Sequence, residues 1–267
     1  MTQRAVLKAL LLASSCALAL SACGNEDEPR FRPGSREHAE ATGAVGAPPH
    51  AAELPIERPP VLEEEPTADE APIVPAQDRN PALLLPAAAT QQAPATFAVE
   101  LTTDAGPIVI DVTRAWAPNG ADRFYNLVQI GFFTDVAFFR VVSGFMAQGG
   151  IHGDPRVAAA WRSANIPDDP VVQSNRRGFV TFAMGGPNTR TTQFFINLVD
   201  NQRLDPMGFP PFGRVRDMAA VDALHSGYGE SAPGGRGPMQ QRIQTEGNAY
   251  LRAEFPQLSY IRSARIL

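Results

Sequence analysis

"FFRVVSGFMAQGG", residues 138–150, decides how this chain folds. It reads as a strand, a Ser-Gly break and a second short strand that closes on two glycines. Arg140 and Gln148 sit in it among Phe, Val and Met. A core excludes both polar side chains, and a solvated edge does not hold so many large apolar groups. With a period of two, Phe138, Arg140 and Val142 share one face of the first strand. Met146 and Gln148 share one face of the second. Antiparallel pairing can then bring Arg140 and Gln148 together on an apolar floor. A plainer reading stays open at this point: an exposed arginine lying across a sheet, its stem packed on neighbours.

Outward from this stretch, the same period marks other strands. Phe97, Val99 and Leu101 alternate before Asp104-Ala105-Gly106, and Ile108, Ile110 and Val112 alternate after it, which predicts a β-hairpin. Pro118 opens a helix with Ala121, Phe124, Leu127 and Val128 on one face, ended by Gly131. Strands are predicted at 136–142, 145–149, 179–183, 193–198, 211–216 and 260–267. Asp217 caps a short helix carrying Met218, Val221 and Leu224, stopped at Gly227. Residues 239–254 read as a further helix. The pattern is mainly β: one antiparallel barrel or sandwich capped by two or three helices over residues 96–267.

The first 95 residues follow other rules. Arg4 and Lys8 precede an apolar stretch over 9–20, too short to span a bilayer, which predicts a signal peptide over 1–22. The junction Leu20-Ser21-Ala22-Cys23-Gly24 resembles the bacterial lipobox. That resemblance implies cleavage before Cys23, a lipid on its thiol and a place in the cell envelope. Gly24 leans the expectation toward the outer membrane, facing the periplasm or the surface. Residues 24–95 hold 13 of the 25 prolines and show no sustained period, so 23–95 is expected to be a lipidated cysteine and a disordered linker. As a coil it spans roughly 45–50 Å root-mean-square. Residues 24–80 carry 13 acids against 5 bases, while 81–267 are near neutral, with 15 acids and 16 bases. No basic face suggests nucleic acid as a partner.

Several chemistries lack their residues. Only four histidines are present, two of them in the linker, and no His/Cys set has metal-ligand spacing. No Gly-x-Ser-x-Gly elbow occurs, and after cleavage Cys23 is the sole cysteine. The glycine-rich loop 226–238 lacks the Lys-Ser/Thr ending of a phosphate-binding loop. An enzyme built on this chain is expected to use no metal, no cofactor and no covalent intermediate.

A second stretch, "GFVTFAMGGPNTRTTQFFINL" at 178–198, again joins apolar strands to a glycine-rich turn and a lone glutamine, Gln193. Together the two stretches strongly resemble the cyclophilin family of peptidyl-prolyl isomerases. The family's Phe-x-Arg-x-x-x-Gly-Phe-Met-x-Gln-Gly-Gly is matched at Phe138, Arg140, Gly144, Phe145, Met146, Gln148, Gly149 and Gly150. Its Gly-Pro-Asn-Thr and Gln-Phe-Phe-Ile are matched at 186–189 and 193–196, and Leu204-Asp205 and Phe212-Gly213 follow in order. The resemblance covers residues 96–267. It implies a closed eight-stranded antiparallel barrel capped by helices, acting as a monomer on proline-containing polypeptides.

It also implies roles. Rotation about an X-Pro bond faces a barrier of about 18–20 kcal/mol, yet no bond is made or broken. In the family the matching arginine donates to the proline nitrogen as the amide twists, so Arg140 takes that role. A guanidinium is charged at every physiological pH. Phe145, Met146 and Phe195 are expected to hold the proline ring, with Leu204 and Phe209 at the pocket. Gln148 is expected to hold a substrate backbone group, the Ala183-Met184 edge to pair with the peptide, and Gln193 to support Arg140. Three positions depart from the best-known members: Arg203 replaces Trp, Phe209 replaces His after a one-residue insertion, and Met184 replaces Asn. Weak cyclosporin binding follows from the first. Two other functions stay open: a non-catalytic proline-peptide or chaperone module, and a structural surface lipoprotein.

Overall fold

The hairpin at 96–113 shows how alternation becomes a pleated sheet with one buried face. The computed structural model describes residues 80–267, so the expected signal peptide, Cys23 and most of the linker lie outside the described residues. In chain order the strands are β1 (Thr96–Thr103), β2 (Gly106–Thr113), β3 (Val136–Ala137), β4 (Arg140–Val142), β5 (Met146–Gly149), β6 (Phe179–Phe182), β7 (Phe194–Asn197), β8 (Pro211–Val215) and β9 (Tyr260–Ile266). β1 and β2 pair antiparallel from Thr96↔Thr113 to Thr103↔Gly106 and bury Val99, Leu101, Ile108, Ile110 and Val112. The sheet continues in the order β3-β9-β1-β2-β8-β6-β7-β5-β4.

This corrects the expected closed, eight-stranded barrel: the described sheet has nine strands and is open. The cause lies in the opening stretch. The strand expected over 136–142 is broken at Phe138 and Phe139, both buried. Phe138 joins the main core, while Phe139 packs in a second cluster with Ile243, Tyr250 and Leu251. Here the chain leaves β9, which β3 pairs, and reaches β5, which β4 pairs. The two edges of the sheet are thus consecutive pieces of one segment, with no ladder between them among the described residues.

Among the described residues four α-helices accompany the sheet, where two or three were expected: α1 (Pro118–Gln129), α2 (Pro155–Trp161), α3 (Ala219–Asp222) and α4 (Gln240–Glu254). Phe124 of α1 meets Phe133, Phe194 and Phe212 at centroid distances of 5.4, 5.9 and 5.0 Å. Burying each such ring contributes about 1.5–3 kcal/mol. The start of α1 is capped at long range: Asp169 accepts the N–H groups of Asn119 and Gly120 at 3.0 and 2.9 Å. Asp217 accepts the Ala219 N–H at 2.9 Å at the start of α3. α4 is not continuous. Gly247 has φ 62° and ψ −144°, and a Cβ there would stand 2.0 Å from Gly153 O, so only glycine permits the break.

The chain before Thr96 is also built in. Leu83 is buried, and Trp161 Nε1 donates to its carbonyl at 2.8 Å. Asn126 exchanges two hydrogen bonds with the Gln91 backbone, and Asp122 accepts the Ala93 N–H. Residues 80–95 therefore run as a strap over α1 and α2, held by backbone bonds that no sequence period reports.

Candidate active site

Strand pairing sets the floor of the site. β4 and β5 pair with Arg140 opposite Gln148 and Val142 opposite Met146, while Gln148 also faces Phe195 of β7. Phe194 and Ile196 turn into the main core; Phe195 and Met146 turn the other way and form a separate cluster with Leu204. Val142, Phe145, Ala183 and Phe209 pack around it, half-buried. A cleft of about 510 Å³ opens over this cluster. All ten side chains singled out from the sequence, from Arg140 to Phe209, line it; Met207, Thr189, Thr191 and Gln240 do so as well.

A hydrogen-bond relay runs along its polar wall. Arg140 Nη1 donates to Gln148 Oε1 at 2.8 Å, and Gln148 Nε2 donates to Gln193 Oε1 at 2.9 Å. Gln193 is thus linked to Arg140 through Gln148 rather than directly. Gln148 is buried, and each end of its amide makes one bond within the wall, which leaves one N–H of Nε2 and one lone pair of Oε1 on a side chain that lines the cleft. The other flank of Arg140 is a residue the sequence reading missed. Glu230 Oε2 accepts from Arg140 Nη2 at 2.7 Å, and Oε1 lies 2.5 Å from Nε. The hydrogen bond from Arg140 holds the Glu230 carboxyl below the usual carboxylate range. The only signal was a lone acid in a glycine-rich loop.

The apolar side is fixed by a buried amide network, equally unread from the sequence. Asn201 Nδ2 donates to the carbonyl of Phe145 at 2.8 Å and to Asn197 Oδ1 at 2.8 Å. Asn197 donates to Asn175 Oδ1, and Asn175 Nδ2 donates to the Phe209 carbonyl at 2.8 Å and to Asp205 Oδ1 at 2.9 Å. Burial pushes the Asp205 carboxyl up, but bonds from Ser174 and from the side chain and backbone of Asn175 outweigh it and leave it lowered. Two aromatic residues that line the cleft, Phe145 and Phe209, are therefore held through their backbones by one network. Phe209 meets Phe195 edge-on at 5.9 Å. Arg203 lies over the Phe145 ring at 4.7 Å, and Arg140 lies over the same ring at 5.7 Å.

A charged donor with its partners fixed, set beside an apolar slot lined by aromatic rings, suits a ligand that is apolar at one atom group and an acceptor at the next. Residues 98–245 match the family described as cyclophilin type peptidyl-prolyl cis-trans isomerase/CLD. The chain is 35% identical over 122 residues to peptidyl-prolyl cis-trans isomerase-like 1 of Rhizopus delemar, covering 45% of this chain and 73% of that protein. It is 32% identical over 135 residues to peptidyl-prolyl cis-trans isomerase cyp18 of Streptomyces antibioticus, covering 47% of this chain and 81% of that protein. A solved cyclophilin type isomerase of Cryptosporidium parvum aligns over 64% of this chain and 98% of its own, with a TM-score of 0.49 and 20% identity. The family match spans more than half of the sequence and takes in both walls of the cleft: this chain belongs to the cyclophilin-type peptidyl-prolyl cis-trans isomerases.

Proposed function

We propose that this isomerase turns X-Pro bonds with Arg140 as the donor to the twisted proline nitrogen. Unaided exchange takes tens to hundreds of seconds. In the twisted state amide resonance is lost and the nitrogen lone pair becomes an acceptor, so a donor aimed at it favours that state over both planar isomers. The proline ring sits on Met146 and Phe195, bounded by Phe145, Leu204 and Phe209, and proline-containing peptides are the ligands. The observation that carries this reading is Arg140 beside that slot, with its guanidinium gripped on two sides. Reaching millisecond turnover needs about 7 kcal/mol, at 1.36 per decade. One such donor supplies about 2.7–4 kcal/mol, so ring burial and orientation of the peptide supply the rest.

The test is exchange NMR on a proline tetrapeptide with substoichiometric full-length protein. Cis and trans signals that exchange faster than in buffer support the reading. Shifted signals with the spontaneous exchange rate would instead make it a proline-peptide binding module, the function that Arg203, Phe209 and Met184 leave open.

We further propose that the enzyme works as a monomer on proteins of the bacterial cell envelope, lipid-anchored at Cys23. The support is the lipobox-like Leu20-Ser21-Ala22-Cys23 after a basic and apolar leader. Among the described residues no helix is long and apolar enough to cross a membrane. Labelling with palmitate in a bacterial host should mark the wild type and not Cys23→Ser. Equal labelling of both would exclude Cys23 as the anchor.

A further inference from the structure

Glu230 reaches Arg140 from 90 residues away, in a loop that contributes no strand to the sheet. The loop is folded around it. Ser231 N–H donates to Glu230 Oε1 at 2.9 Å, and Gly237 N–H donates to the Glu230 carbonyl at 2.8 Å. Gly235 N–H closes a further turn on Ser231 O at 3.0 Å. A Cβ on Gly235 would stand 2.3 Å from the Glu230 carbonyl oxygen and 2.6 Å from Glu230 Cβ; one on Gly237 would stand 2.8 Å from that oxygen. Backbone packed this closely on the carbonyl and Cβ of Glu230 fixes where the residue sits, and the Ser231 N–H orients its carboxylate. A guanidinium carries five N–H donors. Gln148 takes one on Nη1, Glu230 takes one on Nη2 and abuts Nε, and one N–H remains on each terminal nitrogen.

We propose that Glu230 is a positioning residue for the isomerisation. It and Gln148 clamp Arg140 from two sides, so that the remaining N–H groups meet the twisted prolyl nitrogen in one orientation. This rests on Arg140 being the donor. The carboxylate does not touch the substrate; it acts by removing the freedom of a long, flexible side chain before the peptide arrives. A misplacement of about 1 Å at a reacting group costs on the order of 10²-fold in rate. Loss of the clamp therefore shows in turnover more than in peptide affinity.

The test is a double-mutant cycle in the full-length protein, read by exchange NMR, with thermal unfolding to check folding. Glu230→Ala is expected to lower kcat/KM about 10- to 100-fold, mostly in kcat. Glu230→Gln should fall in between, because one acceptor oxygen is kept. Adding Glu230→Ala to Arg140→Ala should cost nothing further, since the group being positioned is gone. A Glu230→Ala protein as fast as wild type, or faster, overturns the proposal, as does an equal further loss in the Arg140→Ala background. If Glu230→Ala does not fold, Glu230→Gln and its cycle with Arg140→Ala decide in the same way. Should Arg140→Ala itself stay active, the assignment of the donor fails, and with it the ground for this proposal.

Discussion

The two flanks of Arg140 are built in different ways. Gln148 meets it across one rung of an antiparallel ladder, eight residues along the chain. Glu230 meets it from a glycine-rich loop, 90 residues along. The first contact follows from register: once β4 and β5 pair, the pleat puts residues 140 and 148 on the same face. The second exists only after the loop has closed on itself and on the sheet. A contact of the first kind is fixed as soon as the strands pair, whereas one of the second kind is sensitive to every change in the loop.

The largest effect should come from the residue the two flanks share. Arg140→Ala is expected to lower kcat/KM by about 10²–10³-fold with folding intact, as for loss of one donor in an apolar site. A loss below about tenfold would shift the chemistry away from both flanks. Next comes the ladder flank: Gln148→Leu removes both the acceptor for Arg140 and the donor to Gln193, with an expected loss of about tenfold. If exchange NMR shows no loss, the loop flank alone holds the arginine.

Asn175→Ala tests the network beneath the apolar side. It strips partners from Asp205, Thr181, Asn197 and the Phe209 carbonyl. It should lower stability by about 1–3 kcal/mol in denaturant unfolding and loosen Phe209. The loop flank also has a pH signature. Glu230 lies below the usual carboxylate range because of Arg140, so its ion pair persists above that range and is lost only as pH falls through its lowered value. Turnover should hold from neutral pH through the ordinary carboxylate range and fall at more acid pH. A fall centred near pH 6 would point to another group. The smallest effect concerns Arg203 on Phe145: Arg203→Trp should strengthen cyclosporin binding by about tenfold, or ~1.4 kcal/mol. Unchanged affinity in a titration would separate this position from that ligand.

What was legible in the sequence follows the same division. The strands carrying Arg140, Met146, Gln148 and Phe195 declare themselves because period-two alternation is local, and all ten residues expected at the site line one cleft. The break at Phe138 and Phe139 was not legible, since two apolar residues entering two different cores look like continuous strand. The strap at 80–95 reads as linker because Asn126 and Asp122 bind its backbone, and such bonds leave no period in its own residues. The bonds of Gln148 to Arg140 and Gln193 follow from strand pairing, which sets it opposite both Arg140 and Phe195. Asn175, Asn197 and Asn201 read as turn formers, although they are buried. Glu230 had no period, no partner nearby in sequence and only glycines to mark it.

At the centre stands the claim that an oriented guanidinium, rather than positive charge alone, drives the rotation. Arg140→Lys tests it most directly, because lysine keeps the charge and loses the planar fork that Gln148 and Glu230 hold. Exchange NMR on a proline tetrapeptide with the full-length variant should show activity close to that of Arg140→Ala. Activity within about threefold of wild type, ~0.65 kcal/mol, would contradict the account.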